Sequence, residues 1–162
     1  MKYRCIALGL LALSATAQAD VKVSFVNPEK FSDIRDNNGF RRLEVLKDLE
    51  AFLVAEAGKQ LPGRDVTFEI TDVDLAGEVE PVGRHAQWLR VMRSHTSPAM
   101  SFRYEVREGN RLQQQGEARL RDLDYLSGFN VHPDGDPLRF EKRMLERWMS
   151  RELAPQLAAS AR

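Results

Sequence analysis

The chain has 162 residues, 43% hydrophobic and 30% charged, with 24 basic against 24 acidic side chains and one cysteine. That length holds one ordinary domain around a single core. The even charge balance argues against nucleic acid or an anionic membrane as chief partner, and a lone cysteine cannot close an internal disulfide.

Taken in chain order, Met1-Lys2-Tyr3-Arg4 is a short basic start followed by an apolar run from Cys5 to Ser14. Ala17-Gln18-Ala19 then supplies the small-x-small pattern that a signal peptidase accepts. An apolar run of about ten residues is too short to span a bilayer, which needs about twenty. Residues 1–19 are therefore expected to be a cleavable export signal, leaving 20–162 as a periplasmic or secreted domain. Cleavage after Ala19 would remove Lys2, Arg4 and Cys5, leaving 22 basic against 24 acidic residues and no cysteine. No later run reaches spanning length.

Val21, Val23 and Phe25 alternate with polar residues, which predicts a half-buried strand. A turn-rich loop containing Asp36-Asn37-Asn38-Gly39 follows. It falls short of a calcium-binding loop, with Ile34 and Val45 where acids would be required. From Phe40 the spacing turns helical, with Leu43, Leu46, Leu49, Phe52 and Leu53 on one face, until Pro62-Gly63. Val66, Phe68 and Ile70 mark a second strand, 77–86 an exposed connection, and Trp88–Arg93 a third strand. Met100, Phe102, Tyr104 and Val106 alternate with polar residues in a fourth strand. Gly109-Asn110 makes a two-residue turn into a fifth, from Arg111 to about Tyr125. Asp136-Pro137 provides a cap and first-position proline for a closing helix, whose apolar face is Phe140, Met144, Leu145, Trp148 and Met149. A frayed, flexible tail is expected from about Pro155. The order β-α-β-β-β-β-α predicts an α+β two-layer sandwich, with about five mostly antiparallel strands and both helices on one face.

Two segments break the alternation. Apolar residues fall on even positions through Ile70 and on odd ones at Val73 and Leu75. The same switch separates Leu112, Ala118 and Leu120 from Leu123 and Tyr125. Side chains on a strand point alternately to opposite faces, so each switch demands a bulge or a strand end. At both stand paired aspartates, Asp72 with Asp74 and Asp122 with Asp124. Carboxylates two apart on a strand lie roughly 6–7 Å from each other on one face. If the two strands were neighbours, four carboxylates would converge and require a balancing cation, with calcium or magnesium the suitable ions. The alternative is that each aspartate accepts backbone N–H groups at a strand end or turn, with no cofactor.

At Thr71-Asp72-Val73-Asp74-Leu75-Ala76-Gly77-Glu78 the chain resembles a family of small exported proteobacterial proteins classed as a domain of unknown function. The likeness extends to Val23–Asp33, to Arg119–Leu126 and to Phe140–Trp148. It implies export and a single domain, and brings no activity with it.

His85, His95 and His132 lack metal-ligand spacing, and no nucleophile elbow or phosphate-cradling loop occurs. The solvent face of the fourth and fifth strands would carry Arg103, Arg107, Arg119 and Arg121 among glutamates. These arginines either pair across strands or form a docking surface for an envelope protein or glycan. The sequence thus predicts a non-enzymatic binding or accessory module of the envelope. The alternative is a divalent-cation-binding protein, possibly a hydrolase, built on the aspartate pairs.

Overall fold

A computed structural model describes residues 20–34 and 42–160. The expected export signal at 1–19, the Asp36–Gly39 turn and the helix-opening Phe40 lie outside the described residues.

The chain runs β1 (Val21–Phe25), a 3-10 turn at Pro28–Lys30, α1 (Arg42–Gln60), β2 (Asp65–Asp74), β3 (Glu78–Val82), β4 (Gln87–Val91), β5 (Ala99–Glu108) and β6 (Arg111–Arg121). It closes with α2 (Arg139–Trp148), a π-turn (Met149–Leu153) and α3 (Ala154–Ser160). β1, β2, β5 and β6 form one sheet in that order, and β3 pairs only with β4. β1 lies parallel to β2, which its connection through α1 permits; the other pairs are antiparallel. The class is α+β, as expected.

Alternation decides what is buried. Val66, Phe68 and Ile70 of β2 and Met100, Phe102 and Val106 of β5 share one core with Leu49 and Leu53 of α1, Leu145 and Trp148 of α2, and Met149 of the π-turn. Trp148 makes edge contacts with Phe102 and Tyr104 at centroid distances of 4.9 and 5.1 Å, locking the closing helix onto the sheet. All five residues predicted for the apolar face of that helix are buried. In α1 the stripe is Val45, Leu46, Leu49, Leu53, Glu56 and Ala57, and Leu43, expected in the core, lies to one side of it and is exposed.

Both predicted face switches are real. The β2–β5 register shifts between Ile70 and Asp72, a bulge that returns Val73 to the core. β6 ends at Arg121, and a turn brings Tyr125 inward. Gly109 takes φ +57 in the two-residue turn joining β5 and β6.

Three expectations need correction. A single sheet of about five strands is instead a sheet of four beside a separate hairpin. The 77–86 connection supplies β3 of that hairpin, whose residues offer no continuous apolar face to the core; Trp88 and Leu89 remain exposed. α2 begins at Arg139, because Asp136 spends its carboxylate on the Leu138 N–H at 2.9 Å in a preceding turn. The frayed tail from Pro155 is instead α3, with Leu157 buried. Proline has no N–H and its ring crowds the carbonyl four residues back. The helix widens into the π-turn there, with the Ala154 N–H reaching Met149 O, and so carries the chain past Pro155.

Candidate functional site

The bulge and the strand end place the four aspartates. β5 lies between β2 and β6, so the two pairs are not on neighbouring strands, and the convergence an ion site needs does not form. Asp72 accepts the Ser32 N–H and hydroxyl, both at 2.8 Å, pinning the segment after β1 to the bulge. Asp74 meets Arg121 at 3.4 Å. Loss of solvation is the main cause holding Asp74 above the usual carboxylate range; Arg121 opposes it, and Asp33 and Asp72 add to it. Asp122 accepts the Asp124 N–H at 3.2 Å and pairs with Arg143 at 3.1 Å and Arg147 at 3.5 Å. Asp124 faces solvent, its carbonyl closing the turn with the Ser127 N–H. Among the described residues no group of three or more histidine, cysteine, aspartate or glutamate side chains is placed to hold a metal ion. The cation and hydrolase readings lose the convergence they required.

The aspartate motifs instead border a buried polar seam under the β3–β4 hairpin. Glu141, 1% exposed, accepts the Ala76 N–H through Oε1 at 2.6 Å, while its Oε2 has no hydrogen-bond partner among the described residues. Burial pushes the Glu141 carboxyl up to about 7, against the Ala76 bond and the Arg90 charge, which act the other way. Arg90, its side chain 6% exposed, bonds Asp33 at 2.8 Å and the Ala76 and Gly77 carbonyls. Gly77 holds φ +79, and a Cβ there would stand 2.7 Å from Val91 O, so the motif needs glycine at this point. Arg143 donates to Ser127 O, Tyr125 O and Asp122, and the Tyr125 hydroxyl donates to Arg93 O at 2.7 Å. The seam fastens the hairpin, the turn after β6 and α2 to one another.

Sequence reasoning missed Glu141, although the signal was present. Glu141, Met144, Leu145 and Trp148 follow the i, i+3, i+4, i+7 spacing of a single stripe, which marks Glu141 as a core position.

The four candidate arginines divide. Arg103 donates to Glu69 at 2.8 Å and stands opposite Glu117 on its other side. Arg107 bonds Glu105. A groove of about 540 Å³ on this open face is lined by Glu69, Glu105 and Glu117 against Arg103 alone. That face pairs its arginines across strands and does not gather them.

Arg119 and Arg121 stand opposite Ser101 and Ala99 on that same open face, and being on the outermost strand they also line a groove of about 390 Å³ that runs between the end of β6 and α2. Arg119, Arg121, Arg147 and Arg151 line it against the carboxylates of Asp122 and Glu152. Asp122 is already held by the buried Arg143. Leu120, Met144 and Trp148 line it with apolar surface. A narrower groove of about 270 Å³ shares Arg119, Leu120, Trp148 and Glu152 and continues along β6 to Glu117. Sequence reasoning had no access to Arg147 and Arg151, because helix spacing does not say which strand edge a helix lies beside.

Among the described residues no helix is long and apolar enough to cross a membrane. His132 sits 3.3 Å from Glu146 and edge-on to Phe52. No curated protein and no solved structure matches the chain. A family described as a protein of unknown function (DUF3016) matches residues 19–151, covering the aspartate segments, the buried seam and most of the arginine groove, and the chain belongs to that family.

Proposed function

We propose that the protein is an exported, non-enzymatic binding module of the cell envelope, cleaved after Ala19 and docking an anionic partner in the groove beside β6. One observation carries the reading: four arginines line the groove with two carboxylates, and although Arg121 also meets Asp74 at 3.4 Å, Asp122 is already bound by Arg143. Arginine is favoured at interfaces because its planar fork holds carboxylates in two-point contact. The apolar floor of Leu120, Met144 and Trp148 lowers the local dielectric and strengthens such contacts. The basic start and the Ala17-Gln18-Ala19 pattern support export.

The test is photo-cross-linking in cells from a benzoylphenylalanine at Glu152, with the amino terminus of the product read by mass spectrometry. The reading expects a chain beginning at Asp20 and one adduct that disappears in the Arg119→Glu, Arg147→Glu double variant. An adduct indifferent to those charge reversals, or a chain retaining residues 1–19 in the cytoplasm, overturns it.

A further inference from the structure

The two grooves beside β6 share four lining residues and form one channel along the outer edge of the sheet, from Glu117 to Asp122. β6 is the last strand of its sheet, so every second residue turns a main-chain N–H and C=O outward with no strand to receive them. The channel's other wall is α2 and the π-turn. An edge strand facing a helix across a groove is the geometry in which an extended peptide adds as a further strand. We propose that the occupant of this groove is an extended polypeptide segment with acidic side chains at alternate positions, which pairs with β6 and sets its carboxylates beside Arg119 and Arg121, on the face of the sheet away from α2. The inference rests on the docking reading above and names its partner.

Three features favour a polypeptide. First, Arg119 and Arg121 are two residues apart on one strand, which sets their side chains roughly 6–7 Å apart, the same repeat as alternate residues of an added strand. Second, the outward edge offers donors and acceptors together. A peptide backbone matches both, whereas a phosphate or sulfate group supplies acceptors alone and would leave the outward carbonyls unmet. Third, Leu120, Met144 and Trp148 form an apolar floor suited to the residues that alternate with the acids. A second copy of this chain is disfavoured in the register centred on Gly116. Antiparallel pairing of β6 with itself about Gly116 would set Arg121 against Arg111 twice, and like charges directly opposite destabilise a sheet.

Amide hydrogen exchange of the purified protein tests this, measured alone, with the peptide (Glu-Thr)4, with (Lys-Thr)4 and with heparin. The proposal expects (Glu-Thr)4 to slow exchange of alternate amides between Glu117 and Arg121 at least tenfold, with no such change from (Lys-Thr)4 or heparin. The exposed substitution Arg119→Glu should abolish the protection, and the remote Glu108→Lys should leave it intact. Heparin or peptide binding that Arg119→Glu removes, without slowed exchange in β6, overturns strand addition and leaves the anionic docking reading standing. No binding by either probe overturns both. Protection that survives Arg119→Glu overturns the role given to the arginines.

Discussion

Two arginines one turn apart on α2 have opposite fates. Arg143 is 4% exposed and divides its guanidinium among Ser127 O, Tyr125 O and Asp122, so its charge is consumed inside the fold. Arg147 reaches the same Asp122 at 3.5 Å but is 42% exposed, and Arg119, Arg121 and Arg151 line the groove with it. Asp122 is the hinge between the regions: one side closes the buried seam, the other opens onto the groove. A carboxylate satisfied from within cannot neutralise the arginines outside it. The seam therefore leaves the groove positive.

The largest effect that separates the regions is on stability. Arg143→Met should cost about 3 kcal/mol, because it strands a partly buried carboxylate and two carbonyls, read as a shift in the urea midpoint. Arg147→Glu should change that midpoint by less than about 1 kcal/mol, as an exposed pair does. Equal losses would erase the distinction.

Second is the pH response of the seam. Glu141 binds its proton more tightly in the fold than in the unfolded chain, with a carboxyl raised from 4.5 to about 7. The folded state therefore holds the extra proton between those values, and stability from this group falls as pH rises from 4.5 through about 7, then levels. Glu141→Gln keeps an acceptor for the Ala76 N–H and carries no charge. Its stability relative to the native chain should grow by roughly 3 kcal/mol across that window. A difference independent of pH would mean that Glu141 is solvated.

A smaller effect sharpens the contrast between the open face and the groove. Arg119→Glu should weaken (Glu-Thr)4 about tenfold, roughly 1.4 kcal/mol, and more so at low salt. Arg103→Glu, on a face where carboxylates already predominate, should leave it within about twofold. The smallest expected effect is none: EDTA or millimolar calcium should leave the melting temperature unchanged, since an ion held by the fold would raise it. A rise of several degrees with calcium would return the aspartates to the role of ligands.

Much of the fold was legible because alternation is a local property. The phase change between Ile70 and Val73 called for a bulge, and the register shift lies between Ile70 and Asp72. The change after Leu120 called for an end, and β6 stops at Arg121. What failed was neighbourhood. Alternation says which face a residue occupies and nothing about which strand lies beside it, so the insertion of β5 between β2 and β6 was invisible. The same gap hid the groove. Arg147 on a helix and Arg119 on a strand carry no mark that they line one groove, whereas Glu141 declared its burial by falling on an apolar stripe.

The most direct single test is the affinity of (Glu-Thr)4 for the Arg119→Glu, Arg121→Glu double variant relative to the native chain, by fluorescence anisotropy at a temperature where both are folded. The groove account predicts a loss of about tenfold or more. An unchanged affinity would contradict it and return both arginines to the solvated open face of the sheet.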